Sequence, residues 1–455
     1  MVKTTSVRKN WKVGDNDEDN CESSFISCDT LNHLNLLSND DESENVQAGS
    51  SEEQNEKKLE SQIPDSLQEL FFKCRIEFVK GKGRGVICQE VIEPGTTILK
   101  EEPMVALVKK QNNFNACHYC FSSSTDNLLA CSKCKFCRYC SVECQREDWA
   151  DHKLECESIL KDPEQKNTEF IRLMARLLRK RYRNHEMMKI LRYLISNKEE
   201  TLKSRGESIV GICFLLKKLV GERMMIQNTN ELLHLISRIQ SNATCIRGMN
   251  SMGFGIFAAY SFINHNCDPN VVVSFQKRTL YVRSIKKINP GEETCLYEEN
   301  DPRKFFKCPS CNGPVLGIQC KECKRFLSKS YQLEKEAYFE GLISAGVRDD
   351  EIFSILYPSH HILIEYLCSH ISDMSCYKKL VESLDLVYPK YDPQILIWRY
   401  QGILIHQDVI DIELFEIAKE TLKRFKISFP DTEPTIKALR NFLDFKMSTL
   451  SGFHE

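Results

Sequence analysis

The sequence lacks the features that would assign it to several large classes of protein. Its 455 residues contain no run of about 18 apolar residues, the length that a membrane-spanning helix needs. The chain opens without a basic segment followed by an apolar one, so we expect no secretory leader and an intracellular protein. The formal net charge is −2, which gives no reason to expect bulk nucleic-acid binding, so we do not expect direct DNA binding to be its primary function.

Cysteine, by contrast, is abundant. The chain has 22 cysteines, and most of them form close pairs flanked by Lys and Arg. In a reducing compartment such pairs indicate metal binding rather than disulfides. A chain of 455 residues is too long for a single core, so we expect roughly two to four domains.

The beginning of the chain has the composition of a disordered segment. It is rich in Asp, Glu, Asn and Ser and has only scattered apolar residues. Such a segment cannot bury enough apolar surface to offset the entropy lost on ordering. We therefore predict a disordered acidic region over 1–66, with order beginning near Leu67.

A small β unit is predicted next, over 67–116. Arg75–Val79 and Val86–Glu90 alternate as strands, and Lys80–Gly85 between them reads Lys-Gly-Lys-Gly-Arg-Gly. Glycines at every second position allow a tight turn and a close approach of the backbone to a ligand. The spacing is not that of a dinucleotide-binding fingerprint, and no long helix follows. The segment therefore indicates a hairpin that faces a ligand.

The strongest chemical signal lies over 117–156, where eight potential metal ligands crowd together. Two-residue gaps suit a metal-binding knuckle, and three-residue gaps place both ligands on one face of a helix, which Arg146–His152 is predicted to form. Eight ligands suffice for two tetrahedral zinc ions, and filled sets of four indicate structural sites because no position is open to water. Cys137 lies outside the periodic set and is interpreted as a non-ligand. The predicted ligands are Cys117, Cys120, Cys131, Cys134, Cys140, Cys144, His152 and Cys156.

The order of these ligands resembles a MYND zinc finger, including the segment Trp149-x2-His152-x3-Cys156. The resemblance implies that the ligand pairs interleave, and that such a finger binds partner proteins, often through proline-containing peptides. One zinc would be bound by Cys117, Cys120, Cys140 and Cys144. The other would be bound by Cys131, Cys134, His152 and Cys156.

Amphipathic helices are predicted over 157–240, where apolar residues recur at three- and four-residue spacing among many Arg and Lys. A strand-like segment then leads to Ile263–Asn270, which reads Ile-Asn-His-Asn-Cys-Asp-Pro-Asn. An Asn/Asp/Pro cluster after an apolar segment is often only a turn. Here a predicted hairpin follows over 271–285, then a Gly-Glu-Glu turn over 291–293 and a short strand that ends at Tyr297.

Together with the glycine-rich turn, these segments resemble a SET domain, and the inserted finger is typical of the SET and MYND domain family of protein lysine methyltransferases. The resemblance runs from about Phe72 onward and implies an α+β fold. That fold comprises a SET-domain β core with an inserted MYND zinc finger and helical insert, a cysteine-rich post-SET segment, and a C-terminal all-α tetratricopeptide-like domain. The implied ranges are 67–116 for the first part of the SET domain, 117–156 for the finger, 157–240 for the helical insert, 241–299 for the SET core, 300–329 for the post-SET segment and 330–455 for the C-terminal helices.

The resemblance also implies an S-adenosylmethionine-dependent enzyme of the nucleus or cytoplasm that methylates lysine in histones or other proteins and regulates chromatin and transcription. Tyr297 matches the catalytic tyrosine, which would orient the substrate amine and stabilise developing charge. Cofactor contacts are implied for Lys80, Gly81, Lys82, Asn197, Asn242, Asn264, His265, Tyr297 and Phe306. The alternative is a catalytically weak or inactive SET scaffold that recruits protein partners through the finger and the C-terminal helices.

One departure from the family pattern concerns the segment before Tyr297. Three residues rather than four separate Gly-Glu-Glu from this tyrosine. A deletion inside the strand would turn the tyrosine to the wrong face, whereas a deletion in the Asn289–Gly291 turn keeps its register. We favour the deletion in the turn.

A second departure concerns a third zinc ion, which the resemblance implies in the post-SET segment, where the family's first cysteine is replaced by phenylalanine. Two ligand sets can complete this site. In the first, which we favour, Cys267 joins Cys308, Cys311 and one later cysteine. In the second, Cys308, Cys311, Cys320 and Cys323 form a closed ribbon-like site, and Cys267 is a free buried thiol.

The chain from Ser330 onward is predicted to be helical. The segments Leu356-Tyr357-Pro358, Val387-Tyr388-Pro389 and Ser428-Phe429-Pro430 each precede an apolar-periodic run. This recurrence indicates stacked helical pairs of tetratricopeptide type, which would cover the substrate cleft. We expect a monomer.

Overall fold

The computed structural model describes residues 63–80, 82–112, 115–122, 128–161, 169–183, 185–247, 251–266, 269–297 and 305–451. The acidic region predicted over 1–66 lies almost wholly outside the described residues. Those described form two compact units. The first unit contains the residues up to 297 together with 389–451, and the second contains 305–388.

The strands form several small sheets. They are β1 (Cys74–Val79), β2 (Gly83–Cys88), β3 (Thr97–Glu101), β4 (Val105–Val108), β5 (Leu129–Ala130), β6 (Arg138–Tyr139), β7 (Ala243–Arg247), β8 (Ser251–Ile256), β9 (Asn264–Asn266), β10 (Val271–Gln276), β11 (Thr279–Ser284), β12 (Cys295–Tyr297), β13 (Phe306–Lys307), β14 (Pro314–Leu316) and β15 (Gln319–Cys320). The sheet orders are β1-β2, β10-β11-β3, β4-β8-β7, β5-β6, β12-β9 and β13-β14-β15. Among these described pairs, β9 and β12 run parallel and the others antiparallel.

The helices are α1 (Asp65–Gln68), α2 (Val142–Lys161), α3 (Glu169–Arg183), α4 (His185–Arg192), α5 (Lys198–Val220), α6 (Thr229–Asn242), α7 (Lys329–Ala345), α8 (Ile352–Ile355), α9 (His361–Ser369), α10 (Met374–Val387), α11 (Pro393–Ile405), α12 (Ile412–Ser428) and α13 (Pro434–Ser451). None of the described helices combines the length and the apolar character that crossing a bilayer requires.

The hairpins predicted from alternation are confirmed. β1 pairs with β2, and β10 pairs with β11. The second strand of the glycine-rich hairpin begins earlier than predicted, at Gly83, whose φ of 79° is a conformation that glycine tolerates without strain. The alternating pattern therefore predicted which strands pair, whereas the geometry of the turn determines the residue at which β2 begins.

The predicted helices over 157–240 are confirmed as α3 to α6. Helix α3 buries apolar side chains such as Phe170, Met174 and Leu178 in the core of the first unit. Helix α6 starts where the Asn228 side chain accepts a hydrogen bond from the Glu231 amide, which caps the helix. The periodicity of the apolar residues thus predicted both the helices and their buried faces.

The C-terminal helices are divided between the two units. Helices α7 to α10 belong to the second unit, and α11 to α13 to the first. Ser274 of β10 donates from Oγ to the carbonyl of Ser428 at 2.9 Å. Arg283 of β11 donates from Nε to the carbonyl of Ile427 at 2.8 Å, so it satisfies a carbonyl in the last turn of α12. The β10–β11 hairpin is therefore covered by the end of α12.

Candidate functional site

Three segments that are far apart in sequence meet beside the glycine-rich hairpin. The Asn264 side chain donates from Nδ2 to the Arg84 carbonyl at 3.1 Å and to Glu293 Oε1 at 2.7 Å. Lys82 Nζ lies 2.9 Å from Glu293 Oε2. The hairpin, the Asn-His segment and the Gly-Glu-Glu turn are therefore joined at one carboxylate, and we call Lys82, Arg84, Asn264 and Glu293 the junction.

Gly85 makes this close approach feasible. A Cβ atom at this position would lie 2.5 Å from Glu293 Oε1, 2.8 Å from Val79 Cγ2 and 3.0 Å from Asn264 Nδ2. The first two distances are shorter than real Cβ contacts, so any other residue would push the junction apart. The third glycine of the turn is thus required by the protein's own packing.

The charge of Glu293 is stabilised within the junction. Burial raises the pKa of this carboxyl, but the hydrogen bonds from Asn264 and Lys82 outweigh burial and keep the pKa below its ordinary value. Glu293 is therefore ionised at neutral pH and can hold the Lys82 ammonium.

Asn270 ties the same turn to strand β12. Its Nδ2 donates to the Glu293 carbonyl at 2.8 Å, and its Oδ1 accepts from the Cys295 amide at 2.8 Å. In the parallel β9–β12 pair, Tyr297 is the partner of Asn266. The backbone of Tyr297 is thus fixed beside the Asn-His segment, whereas its side chain lies outside the described part, so the predicted register of its hydroxyl stays a prediction.

The buried carboxylate of Glu101, which the sequence analysis missed, binds the backbone just before the Asn-His segment. Glu101 accepts hydrogen bonds from the amides of Ala259 (3.0 Å) and Tyr260 (2.9 Å), at the start of the short helix Tyr260–Phe262 that precedes Asn264. Burial raises its pKa from 4.5 to about 7, although these hydrogen bonds act in the opposite direction. The position of Glu101 at the end of strand β3 was the available signal, since strand alternation points it inward.

The two remaining predicted asparagines differ in their surroundings. Asn242 is buried and donates from Nδ2 to the carbonyls of Ile195 (2.9 Å) and Arg238 (2.8 Å). Asn197 is exposed at the start of helix α5. The structure therefore brings Asn242 to the segment that leads into Asn197.

The other predicted cofactor residues differ in how far they are exposed. Lys80 and His265 are exposed, and Gly81 lies outside the described residues. Phe306 is only 1% exposed and packs edge-on against His360 in the second unit, with ring centroids 5.0 Å apart. A ring this buried offers little surface to an adenine.

The eight predicted finger ligands form two sets of four. In each set the ligand atoms lie within 4.8 Å of one another, and the sets have the interleaved composition given above. Four thiolates at about 2.3 Å from a tetrahedral zinc are separated by about 3.8 Å. The observed separations of 3.6 Å for Cys120–Cys140 and 3.8 Å for Cys131–Cys156 fit such an ion.

Cys137 lies on the other side of the ligand histidine. His152 Nε2 is 3.6 Å from Cys134 Sγ, within the set of four, whereas Nδ1 faces Cys137 Sγ at 3.4 Å and Glu155 Oε2 at 3.5 Å. Glu155 therefore sits where a partner outside the metal sphere orients a histidine ligand.

A buried ionic network, which the sequence analysis also missed, anchors the finger on helix α3. Glu155 is 2.7 Å from Arg172 Nε and 2.6 Å from Arg176 Nη2. Asp148 is 3.3 Å from Arg176 Nη1 and accepts from the Tyr139 hydroxyl at 2.7 Å. All five side chains are buried, so finger and insert share one polar core.

The post-SET cysteines form a third set of four. The sulfurs of Cys308, Cys311, Cys320 and Cys323 lie within 4.8 Å of one another. This is the second of the two ligand sets considered above. Cys267, which the favoured set requires, lies outside the described residues.

Comparison with known proteins identifies relatives at modest identity. N-lysine methyltransferase SMYD2 of Homo sapiens is 28% identical over 263 residues, which are 53% of this chain and 58% of that protein. Histone-lysine N-methyltransferase ASHR1 of Arabidopsis thaliana is 28% identical over 323 residues, which are 68% of this chain and 66% of that protein. The chain thus spans less than two thirds of the length of these curated relatives.

A solved structure of the SET domain of LSMT bound to lysine and AdoHcy aligns at 13% identity with a TM-score of 0.32, covering 89% of this chain and 91% of that chain. Residues 83–297 match the family model of the SET domain. This range contains the finger, Tyr297 and three of the four junction residues, namely Arg84, Asn264 and Glu293. Residues 83–297 therefore resemble a SET domain, and the chain is similar to the SMYD lysine methyltransferases.

Proposed function

We propose that this chain is an S-adenosylmethionine-dependent protein lysine N-methyltransferase that acts on histones or other proteins. The observation that carries the proposal is the junction, in which one carboxylate joins the glycine-rich hairpin to Asn264. These are the segments at which the family resemblance implies cofactor contacts. The activities named for the related proteins support the same conclusion.

The residues of the junction fit such a cofactor. Lys82 Nζ is bonded to Glu293, and an ammonium has further N–H groups that can bind a ligand carboxylate. The exposed His265 and the backbone of β9 lie beside it. We assign to the cofactor site Lys80, Gly81, Lys82, Asn197, Asn242, Asn264, His265 and Tyr297.

The bound cofactor supplies an electrophilic methyl group on a positively charged sulfur. The protein must then deliver a neutral lysine amine in line with that methyl, because an ammonium has no lone pair with which to attack. A dry channel favours loss of the proton, since burial beside a positive charge lowers the pKa of the substrate amine. We assign to the Tyr297 hydroxyl the role of orienting the amine, from a backbone that β9 holds in register.

We assign structural zinc to the finger, with one ion in each set of four ligands, and a third ion to the post-SET segment. Trp149, which is 37% exposed on helix α2, gives the finger an aromatic surface suited to a proline-containing peptide. Binding of such a peptide should weaken in Trp149→Ala while the zinc content stays unchanged.

The direct test measures methyl transfer and cofactor binding separately. Purified protein is incubated with labelled S-adenosylmethionine and a mixture of histones and cell extract, and cofactor affinity is measured by calorimetry. We expect transfer by the wild type and at least about 100-fold less by Tyr297→Phe, the order expected when a positioned catalytic group is lost. Tyr331→Phe, which changes an exposed tyrosine of helix α7, serves as the matched control and should be fully active.

The outcomes distinguish the enzyme from the scaffold. Absence of both transfer and cofactor binding would contradict the enzyme and favour a SET scaffold that recruits partners. Loss of transfer in Tyr297→Phe with unchanged cofactor affinity would support the assigned role of the hydroxyl.

We also propose a monomer in the nucleus or cytoplasm that regulates chromatin and transcription. Light scattering on the full chain tests the first part, because a mass near 52.8 kDa identifies a monomer. Imaging of the tagged chain in cells tests the second part, and a signal confined to a secretory compartment would contradict it.

A further inference from the structure

The second unit contains a cysteine site whose ligand set differs from the one that the family resemblance favoured. We propose that Cys308, Cys311, Cys320 and Cys323 alone bind one zinc ion, so that this ribbon is complete without Cys267. The proposal does not depend on methyl transfer, because it concerns metal binding within residues 305–327.

The distances between the sulfur atoms fit one tetrahedral ion. Cys308 Sγ lies 3.4 Å from Cys323 Sγ, and Cys311 Sγ lies 3.5 Å from Cys320 Sγ. Each of these pairs joins one Cys-x2-Cys segment to the other. The separations are close to the value of about 3.8 Å expected for thiolates around zinc, so both segments face the same point.

The backbone of the two ribbon segments has the geometry of the finger's knuckles. In all four Cys-x2-Cys segments, the residue after the second cysteine donates its amide to the carbonyl of the first cysteine, at 2.9–3.2 Å. In all four, that residue also has a positive φ, which is uncommon outside glycine. These residues are Phe121 (65°) and Lys135 (56°) in the finger, and Asn312 (59°) and Lys324 (64°) in the ribbon.

A knuckle of this kind turns the chain back sharply and leaves both sulfurs on its inner side, which suits a metal ion better than it suits a buried apolar cluster. In the ribbon, Cys311 and Cys323 are exposed, so burial of apolar surface does not explain their convergence. A metal ion does explain it.

The sheet of the second unit holds the two knuckles face to face. Strand β14 lies between β13 and β15, and the Lys321 amide donates to the Pro314 carbonyl at 3.0 Å. The Glu322 side chain of the second knuckle lies close to Gly313 of the first, since a Cβ atom on Gly313 would be 2.7 Å from Glu322 Oε2. The site is therefore built by residues 305–327 themselves.

A site with four thiolates has no tetrahedral position left for Cys267. The zinc ion of the ribbon would therefore have no ligand in the Asn264–Asn270 segment. The zinc would stabilise the second unit, where Lys307 Nζ donates to the Phe353 carbonyl at 2.7 Å and Gln332 Nε2 donates to the Gly317 carbonyl at 2.6 Å.

Metal content of the full-length chain tests the inference. We expect about three zinc ions per chain in the wild type and in Cys267→Ser, and about two in Cys323→Ser, because a tetrahedral site with three thiolates loses most of its affinity. Cys368→Ser, which changes a half-buried cysteine of the same unit outside the set, is the matched control and should keep about three.

Two results would overturn the proposal. One is loss of a zinc ion in Cys267→Ser. The other is retention of the wild-type zinc content in both Cys320→Ser and Cys323→Ser, which a closed set of four does not allow.

A second measurement covers variants that fail to fold. Wild-type protein is treated with a thiol-alkylating reagent while a chelator is added stepwise, and the modified cysteines are mapped by mass spectrometry. We expect the four ribbon cysteines to become reactive together, in a step that leaves the reactivity of Cys267 unchanged. The closed site would be contradicted if Cys267 became reactive in the same step as Cys308 and Cys311 while Cys320 or Cys323 did not.

Discussion

Lys82 Nζ lies 2.9 Å from Glu293 Oε2, and this ion pair joins residues that are 211 positions apart in the chain. The other oxygen of Glu293 accepts from Asn264 at 2.7 Å. One carboxylate therefore holds together the turn, the Asn-His segment and the strand that leads to Tyr297. Glu293 can therefore affect cofactor affinity without touching the cofactor, because it positions Lys82 and Asn264.

The first prediction concerns the charge of Glu293. Glu293→Gln keeps the shape of the side chain and removes the ion pair, whose contribution is about 1 kcal/mol or less because Lys82 is 42% exposed. We expect the affinity for S-adenosylmethionine, measured by calorimetry, to fall by up to about fivefold. Glu292→Gln changes the neighbouring carboxylate, which bonds within its own turn to Asn289, and should leave the affinity unchanged. Equal affinities for all three proteins would show that the ion pair does not support the site.

The second prediction concerns Gly85. In Gly85→Ala the new Cβ would meet Glu293 Oε1 and Val79 Cγ2 at distances below 3.0 Å, so the junction must open. We expect a loss of stability of about 1–3 kcal/mol, the usual cost of overpacking, and a loss of cofactor affinity of tenfold or more. Thermal unfolding and calorimetry measure the two effects.

The control for this substitution is Gly211→Ala in helix α5. A Cβ there has open space, and alanine favours a helix interior over glycine by about 1 kcal/mol, so this variant should be as stable as the wild type or more stable. Normal cofactor binding by Gly85→Ala would contradict the role of the close approach.

Local sequence patterns predicted the parts of this protein that depend on local chemistry. Alternation gave the β10–β11 hairpin, and ligand spacing together with the family resemblance gave the composition of both finger sets. A tetrahedral metal site restricts the number of residues between neighbouring ligands, so the ligands can be recognised from their spacing in the sequence. Similarly, apolar periodicity gave helices α3 to α6 because each buries one face.

Partners chosen by tertiary packing could not be predicted in this way. Nothing near Glu155 in the sequence indicates that it faces Arg172, and Glu101 resembles its exposed neighbour Glu102 in type. Likewise, the third cysteine set was left between two alternatives because spacing does not decide which distant thiol completes a tetrahedron. Such choices depend on how separate segments fold together, which one sequence without its relatives does not reveal.

The third prediction concerns the network between finger and insert. Glu155→Gln leaves the guanidinium groups of Arg172 and Arg176 buried without their carboxylate, and breaking a buried pair in this way costs about 3–5 kcal/mol. Because Glu155 also faces His152 Nδ1, we expect zinc to be released to a chelator about tenfold faster. Thermal unfolding and the rate of zinc release are the measurements.

The matched control is Glu157→Gln, an exposed residue of the same helix α2. It should change neither the unfolding temperature nor the release rate. If Glu155→Gln behaves like Glu157→Gln, the network does not connect metal binding to the docking of the finger.

The fourth prediction is a pH dependence that originates from Glu101. Burial raises the pKa of this carboxyl from 4.5 to about 7 in the folded protein. Between these values the folded state binds a proton more tightly than the unfolded state does, so the contribution of Glu101 is most favourable below about pH 4.5 and is lost as the pH rises to about 7. The full loss corresponds to at most about 3 kcal/mol.

Substitution isolates this contribution from the other groups that titrate in the same range. Glu101→Gln cannot ionise, so the difference in unfolding temperature, wild type minus variant, should decrease by several degrees between about pH 5.5 and about pH 8. Glu102→Gln, which changes the adjacent exposed carboxylate paired with Arg278, is the matched control. A constant difference for Glu101→Gln would mean that Glu101 is ionised throughout, held by the amides of Ala259 and Tyr260 more strongly than burial opposes them.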